Sequence, residues 1–213
     1  MKPLLICDCD EVLLHMVRHF RTWLDEVHAI EFAYSHDFAS AMTRADGTRP
    51  STAEMWSLLG GFFPDEMHRQ TLVPHAREAL ATLAEAADIV ILTNLQDHCR
   101  THRIEQLAMH GIAHRVECNQ GGKGEPVARL VAEHGGPVTV FVDDLAVHHE
   151  SVARAAPQVH RLQMIAEPEM ASVMPAAPHA HVRIDDWQDA VTWIGARFAS
   201  GLPADAAHGT SAP

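Results

Sequence analysis

The stretch Leu4-Leu5-Ile6-Cys7, followed by Asp8-Cys9-Asp10, opens the chain with an apolar run that ends in two acids. A short apolar run of this length is typical of a buried β-strand. In open α/β sheets, ligands bind beyond the carboxyl ends of the strands, so the two acids are predicted to lie at a binding crevice. Because side chains alternate along a strand, the one-residue gap places Asp8 and Asp10 on one side. Two crowded carboxylates repel each other, and Mg²⁺ with its oxygen ligands would relieve that repulsion.

Two later apolar runs end in polar residues in the same way. Residues 88–94 read DIVILTN and end in Thr-Asn, and residues 138–144 read VTVFVDD and end in Asp-Asp. Between these runs, Lys123 lies among glycines just before a helical pattern. Each pattern alone is weak, but together they place acids, a threonine and a lysine at successive strand ends and helix starts.

In this order the segments resemble the four motifs of the haloacid dehalogenase superfamily of phosphohydrolases, across about residues 4–150. Asp8 is the candidate nucleophile, because an ionised carboxylate can attack phosphorus and form an aspartyl-phosphate. Asp10 is the candidate acid and base, which would protonate the leaving alcohol and then deprotonate water. The resemblance implies the same two roles. Members that act on carbon–halogen bonds lack an acid at the position of Asp10, so its presence points to phosphoryl chemistry.

Three residues are expected to bind the phosphoryl group. Thr93 would donate its hydroxyl to a phosphate oxygen, and the backbone amide of Asn94 could assist. A capping role for this Thr-Asn pair at the next helix is compatible with that function. Lys123 would counter the charge on Asp8 and on the phosphoryl group, so we assign it both catalytic and substrate-binding roles.

The predicted cofactor is Mg²⁺, a hard cation that prefers oxygen ligands. Asp143 and Asp144 would hold it directly or through water, and the sequence leaves open which of them is the direct ligand. Asp8 and Asp10 are the other two candidate ligands, and the resemblance implies that Asp10 binds through its backbone carbonyl.

One residue departs from the family pattern. The family usually has glycine after the second acid, and here Glu11 stands at that position. Glycine tolerates a positive φ that glutamate disfavours. Either the turn differs in this chain, or Glu11 adds a polar group at the hinge of an inserted cap.

The predicted fold class is α/β, with a doubly wound, mostly parallel Rossmann-like sheet and a small inserted α-helical cap. The core is expected over residues 1–14 and 72–199, the cap over 15–71, and a disordered tail over 200–213. The cap segment shows helical apolar spacing and no clear strand pattern. As a lid it would contact the leaving group of the substrate. Six candidates for that contact are His15, Arg18, His19, Arg44, Arg49 and Trp56.

Composition narrows the class of protein. A formal net charge of −12 argues against a broad nucleic-acid footprint, and no apolar stretch is long enough to span a membrane. We expect a cytoplasmic protein, monomer or homodimer, whose thiols are reduced: Cys7, Cys9, Cys99 and Cys118. Seventeen histidines include two pairs that a zinc site could use, but solvated helix faces explain them better: His98 with His102, and His148 with His149.

The function predicted from these residues is that of a magnesium-dependent phosphatase, which hydrolyses a small phosphorylated metabolite through an aspartyl-phosphate. Two alternatives remain at this point. A phosphomutase of the same superfamily would return the phosphoryl group to a substrate instead of to water. A non-catalytic module would bind a phosphoryl ligand without turnover.

Overall fold

The computed structural model describes residues 1–35 and 38–205, without the side chain of Ala39. Its strands are β1 (Leu4–Cys7), β2 (Leu14–His15), β3 (Ile30–Phe32), β4 (Met42–Arg44), β5 (Thr71–Leu72), β6 (Asp88–Thr93), β7 (Arg115–Cys118), β8 (Thr139–Asp143), β9 (His160–Gln163) and β10 (Val182–Arg183). Its α-helices are α1 (Val17–His28), α2 (Thr52–Glu66), α3 (Ala76–Ala84), α4 (Arg100–Met109), α5 (Gly124–Glu133), α6 (Ala146–Ala155), α7 (Pro168–Val173) and α8 (Trp187–Ser200).

Six strands form one parallel sheet in the order β10-β9-β8-β1-β6-β7. Strand β1 lies at its centre, with β6 on one side and β8 on the other. These three strands are buried apolar runs, as expected for parallel strands that are covered by helices on both faces. The predicted fold class, an α/β protein with a mostly parallel Rossmann-like sheet, is confirmed.

Each face of the sheet has its own apolar cluster. On one face, Leu5 and Cys7 of β1 pack in a cluster with residues of α3 and α8. On the other face, Leu4 and Ile6 pack with residues of α5 and α6. The alternation along β1 therefore fills two layers with one short strand. This doubly covered arrangement fixes the carboxyl ends of β1, β6 and β8 at one edge of the sheet.

The segment between β1 and α3 carries a third apolar cluster, built around Phe20, Trp23 and Phe62 of α1 and α2. The sequence patterns predicted helices alone here. The structure has both helices and adds two antiparallel strand pairs, β2 with β5 and β3 with β4. Strands of two or three residues are too short to produce an alternating pattern, which is why the sequence did not reveal them. The division into a core and a cap over residues 15–71 stays a prediction.

The remaining predictions about the chain concern its ends and its thiols. Helix α8 ends at Ser200, and of the predicted tail over 200–213 only residues up to 205 are described, so the rest lies outside the described residues. All four cysteines are free thiols. In the described part of the chain, no helix has the length and apolarity needed to cross a membrane.

Candidate active site

Three carboxylates converge at the carboxyl edge of the sheet. Asp8 follows β1 directly, Asp143 is the last residue of β8, and Asp144 comes next. Because β1 and β8 are neighbours in register, with Cys7 opposite Val142, both strands end at the same level. One oxygen from each carboxylate lies within 4.8 Å of the others, and all three side chains are buried. The sequence predicted this convergence.

Lys123 is fully buried beneath these acids. Its Nζ lies 2.8 Å from Oδ1 of Asp8 and donates a hydrogen bond of 2.7 Å to Oδ2 of Asp143. Burial opposes the charge on the amine, but the carboxylates of Asp143 and Asp8 outweigh it and raise the pKa of Lys123 above its usual value. The lysine is therefore a fixed positive charge between two acids.

The backbone at the start of α5 explains how Lys123 reaches this depth. The amide of Gly124 donates a hydrogen bond of 2.9 Å to Oγ of Ser151 on α6. A Cβ at position 124 would collide with the backbone oxygen of Ser151. Glycine after the lysine thus allows α5 and α6 to pack closely, and this packing directs Lys123 at the edge of the sheet.

The three acids differ in their pKa values, because Lys123 is the one cation they share in the described part of the chain. Burial, with Asp143 and Asp10 nearby, raises the pKa of Asp8 to about 7, although Lys123 opposes the shift. Burial beside Asp143 and Asp8 raises the pKa of Asp144 well above its usual value. Burial also disfavours the charged form of Asp143, but Lys123 and the histidines of α6 hold its pKa below the usual value.

This cluster fits a divalent cation. Three buried carboxylates surround a single ammonium, so full ionisation would leave an excess of negative charge in a dry site. Carboxylate oxygens are the ligands that Mg²⁺ prefers. The residues at hand therefore suit the predicted metal. Among the described ion pairs, Lys123 pairs with Asp8 and Asp143 but not with Asp144.

Asp10 lies outside the carboxylate cluster, since its side chain is held by Arg103 of α4. The Nη2 atom of Arg103 lies 2.9 Å from both carboxylate oxygens of Asp10. The side-chain amide of Gln70 donates a further hydrogen bond of 2.7 Å to Oδ1. The predicted acid catalyst therefore has a fixed position. Of the three or four carboxylates expected to gather, the structure brings together three, Asp8, Asp143 and Asp144. A metal contact through the backbone carbonyl of Asp10 stays a prediction.

A buried polar network supports that arginine. Nη1 of Arg103 donates to Oε1 of Gln70 at 3.0 Å and to Oε1 of Gln106 at 3.1 Å. The amide of Gln106 donates to the backbone oxygen of Met67. These residues belong to none of the motifs in the sequence. The available signal was that Arg103 and Gln106 occupy core-facing positions of α4, three residues apart and next to the buried Leu107.

Thr93 and Asn94 occupy the end of β6, close to the acids. The hydroxyl of Thr93 lies 3.5 Å from Oδ2 of Asp10, at the limit of a hydrogen bond. The side-chain amide of Asn94 donates to the backbone oxygen of Gly121 at 2.8 Å, and Asn119 donates to Oδ1 of Asn94 at 2.8 Å. Asn94 thus ties the end of β6 to the loop before Lys123. Neither residue caps the next helix, whose N-terminus has no side-chain cap.

Glu11 adopts a positive φ of 59°, in the region that glycine tolerates best. Its side chain is buried, and Oε1 accepts hydrogen bonds from the amides of Met16 at 2.7 Å and Val17 at 2.6 Å. These amides begin α1 and would otherwise lack acceptors. Burial raises the pKa of Glu11 to about 7, against the effect of those two hydrogen bonds. Glu11 therefore joins the turn after Asp10 to the first helix of the inserted segment.

A cavity of about 450 Å³ opens above Asp8, Asp10 and Asp144. Of the six residues predicted to contact a leaving group, only Trp56 lines it among the described residues. Arg18 pairs instead with Glu167 at 2.6 Å, and Arg44 pairs with Glu54 at 2.9 Å. The other three lie elsewhere: His15 is buried, His19 contacts Thr71, and Arg49 is exposed.

The histidine pairs do not form a metal site in the described part of the chain, where the acid cluster is the one group of three or more potential ligands. The expectation of a solvated helix face is wrong for His148 and His149, which are buried near the cluster. Nε2 of His149 donates to the backbone oxygen of Asp143 at 3.0 Å. This bond supports the end of β8 instead of binding a cation. His98 and His102 lie exposed at the surface.

Several solved structures resemble this chain over more than nine-tenths of its length. A hydrolase of the haloacid dehalogenase family from Deinococcus radiodurans R1, with bound phosphate and sodium, is 14% identical with a TM-score of 0.64, over 94% of this chain and 98% of that one. A hydrolase of the same family from Bacillus subtilis, bound to magnesium, is 13% identical with a TM-score of 0.62, over 91% and 98%. The chain has the haloacid dehalogenase-like fold.

A third structure with this fold, described as a β-phosphoglucomutase from Bacteroides vulgatus, is 13% identical with a TM-score of 0.59, over 94% of this chain and 90% of that one. No model of a protein family matches the sequence, and no curated protein matches it. The haloacid dehalogenase-like fold is therefore evident from the structure and from short motifs, while overall sequence similarity is low.

Proposed function

We propose that this protein is a magnesium-dependent phosphatase, which hydrolyses a small phosphorylated metabolite through an aspartyl-phosphate on Asp8. The observation that supports this most is the position of Asp8, which pairs with the buried Lys123 and clusters with the carboxylates of Asp143 and Asp144, while Arg103 holds Asp10 in place. The haloacid dehalogenase-like fold raises the expectation of this chemistry by analogy.

The residues divide the reaction into two steps. In the first, Asp8 attacks phosphorus while Asp10 gives a proton to the departing alcohol. In the second, Asp10 takes a proton from water, which attacks the aspartyl-phosphate and releases inorganic phosphate. Arg103 and Gln70 hold Asp10 in place during both steps. Fixed geometry of this kind lowers the entropic part of the barrier.

Charge balance assigns the remaining roles. Lys123 favours the ionised form of Asp8, which burial alone disfavours. Mg²⁺ held by Asp8, Asp143 and Asp144 would supply positive charge next to the phosphoryl oxygens. Thr93 and the amide of Asn94 lie at the neighbouring strand end and would donate to the same oxygens.

The test is release of phosphate from p-nitrophenyl phosphate by the purified protein. We expect turnover with Mg²⁺, loss of turnover with EDTA, and recovery when Mg²⁺ is restored. Asp8→Asn should lose at least about 1,000-fold in kcat, because the amide cannot attack phosphorus. Asp65→Asn, which changes an exposed acid on α2, is the matched control and should behave like the wild type. A kcat of Asp8→Asn close to that of the wild type, or full activity after chelation, would exclude this mechanism.

A phosphomutase is the second candidate, because the protein from Bacteroides vulgatus with this fold is described as a β-phosphoglucomutase. A mutase would return the phosphoryl group from Asp8 to a second hydroxyl of a sugar. Phosphorus NMR of sugar monophosphates separates the two reactions, since a mutase interconverts isomers without accumulating inorganic phosphate. Binding of phosphate without either reaction would instead indicate a non-catalytic module.

A further inference from the structure

The cavity above the acids is lined by two chemically different sets of residues. Its floor carries the carboxylates of Asp8, Asp10 and Asp144. Most of its other walls are apolar and come from α2 and from the core, with Met55, Leu59, Phe63, Leu145 and Met170 among them. A volume of about 450 Å³ accommodates a small organic molecule. The alcohol part of the substrate would therefore contact apolar side chains.

A second cavity of about 670 Å³ continues this apolar surface outward. The two cavities share four apolar lining residues, Trp56, Leu59, Phe63 and Leu145, and two polar ones, Asn94 and His148. Trp56, which lines both cavities, is 63% exposed, and Val147, which lines the second cavity at the start of α6, is 58% exposed. Large apolar side chains that stay exposed together at the entrance of a cleft mark a binding surface.

Positive charge is missing from the wall of the inner cavity, as far as the described residues show. No arginine or lysine lines it, and His148 is the one described lining residue that could become cationic. Burial lowers the pKa of His148, so this side chain is neutral near pH 7. A carboxylate or a second phosphate on the substrate would normally require an arginine or a lysine. Instead it would face the acids of the floor and Glu11.

We propose that the substrate is the phosphate monoester of an uncharged, largely apolar alcohol, of the alkyl or arylalkyl type. This inference rests on the proposed function. The phosphoryl group would face Asp8, and the carbon chain would lie against Met55, Leu59 and Phe63. In the balanced reaction the phosphorus–oxygen bond of the ester breaks, Asp10 protonates the alcohol, and water supplies the oxygen of the released phosphate. Four methionines among the lining residues give the wall the adaptability that chains of varied shape require.

A series of phosphate monoesters tests the proposal. With Mg²⁺ present, kcat/KM is measured for ethyl, butyl, hexyl and 2-phenylethyl phosphate, and for glycerol 3-phosphate and 3-phosphoglycerate. Each buried methylene should raise kcat/KM about three- to fourfold, so hexyl phosphate should exceed ethyl phosphate by about 100-fold. 2-Phenylethyl phosphate reports whether rings enter as readily as chains. A kcat/KM for 3-phosphoglycerate or glycerol 3-phosphate above that for hexyl phosphate would overturn the proposal.

Two lysine substitutions on α2 locate the effect in the cavity. Leu59→Lys places a charge in the apolar wall, and we expect the ratio of hexyl to ethyl kcat/KM to fall at least about tenfold. Ser57→Lys adds the same side chain at an exposed position of the same helix that does not line the cavity, so the ratio should stay at the wild-type value. An unchanged ratio in Leu59→Lys would contradict the proposed binding mode.

Binding of alkylphosphonates separates this inference from the proposed function. Ethylphosphonate and hexylphosphonate cannot be hydrolysed, and their affinities are measured by calorimetry with Mg²⁺. If no phosphate ester is turned over but hexylphosphonate binds at least about tenfold more tightly, the phosphatase assignment fails and the apolar site stands. If esters are hydrolysed and both phosphonates bind equally, the phosphatase assignment stands and the apolar site is excluded.

Discussion

Asp144 lies buried beside Asp143 and Asp8, while the one nearby lysine pairs with the other two acids. Its raised pKa means that the folded, metal-free protein holds a proton that the unfolded chain releases near pH 4. The stability linked to this group is present below pH 4 and is lost as the pH rises toward the folded pKa. Without metal, Asp144 therefore destabilises the folded protein at neutral pH.

The raised pKa of Asp144 predicts how the protein responds when this acid is replaced. Without metal, Asp144→Asn should unfold at a higher temperature than the wild type at pH 8, and at nearly the same temperature at pH 4. A difference of at least about 2–4 °C at pH 8 would correspond to about 1 kcal/mol in a chain of this size. Thermal unfolding in EDTA measures it, and the comparison cancels the opposing contribution of the histidines whose pKa is lowered.

Magnesium should reverse the order of the two unfolding temperatures, so that the wild type unfolds at the higher one. The wild type should gain more unfolding temperature from Mg²⁺ than Asp144→Asn, since ligand binding stabilises the state that binds it. Equal gains in the two proteins would remove Asp144 from the metal site. A lower unfolding temperature of the variant in EDTA at pH 8 would contradict the assignment of Asp144 as an unpaired buried acid.

Arg103 is the second residue that sets the behaviour of the site. Arg103→Met removes the partner of Asp10 and leaves Gln70 and Gln106 with a missing donor. We expect a loss of about 3 kcal/mol or more in the free energy of unfolding, because a largely buried carboxylate is left unpaired. Urea unfolding measures this loss, and kcat should fall as Asp10 becomes mobile.

Two further variants separate position from charge. Arg103→Lys keeps a cation but cannot contact both oxygens of Asp10 and both glutamines, so stability should recover more than kcat. Arg129→Met removes a guanidinium that pairs with Glu133 at the surface, and it should change the free energy of unfolding by less than about 1 kcal/mol. A loss in Arg103→Met no larger than that of Arg129→Met would exclude the role assigned to Arg103.

The sequence was sufficient to locate the acids but not the partner of Asp10. Asp8, Asp143 and Asp144 follow apolar runs, and the geometry of parallel sheets brings such strand ends together. Arg103 lies in a helix whose residues are mostly polar or charged, and a buried arginine there has the same sequence pattern as a solvated one. Only the position of α4 beside Asp10 distinguishes the two cases.

At the scale of secondary structure, the turn at Glu11 connects β1 to α1. Its φ of 59° disfavours any residue with a Cβ, while its carboxylate caps two amides at the start of α1. Glu11→Ala and Glu11→Gly remove the same two hydrogen bonds, but only glycine relieves the backbone strain. We therefore predict that the glycine variant is about 1 kcal/mol more stable than the alanine variant in urea unfolding, and that the alanine variant is less stable than the wild type.

The matched control for this pair is Glu85, at the end of α3. Its φ of −61° is one that alanine adopts freely, so Glu85→Gly should be less stable than Glu85→Ala, the opposite order. If the alanine variant were more stable than the glycine variant at both positions, the positive φ of Glu11 would carry no strain.

The length of an element decided whether the sequence revealed it. Strands β1, β6 and β8 have four to six residues and are largely apolar, so their patterns were sufficient. Strands β3 and β4 have three residues each, and their pairing depends on the cluster around Phe20 and Phe62. Such short strands are defined by tertiary packing, which no local pattern encodes.

At the scale of the whole molecule, two connections join the sheet to the segment that carries α1 and α2. They run beside each other as the antiparallel pair of Leu14–His15 with Thr71–Leu72. The segment packs largely on its own apolar cluster, and the ion pair between Arg18 and Glu167 ties α1 to the core. A unit with its own small cluster and few connections is expected to open separately from the sheet.

The last prediction tests that separation by hydrogen exchange. Phe62 is fully buried in the cluster of α1 and α2, and Phe62→Ala should weaken that cluster by about 3–5 kcal/mol. Amide protection in α1 should fall, while protection in β1, β6 and β8 stays close to the wild-type level. Phe141→Ala, which removes an equally buried ring from β8, should lower protection in both regions, because the segment cannot stay folded without the sheet. If Phe62→Ala lowered protection of β1 as much as that of α1, the protein would unfold as one unit, and opening of the segment could not admit substrate independently of the core.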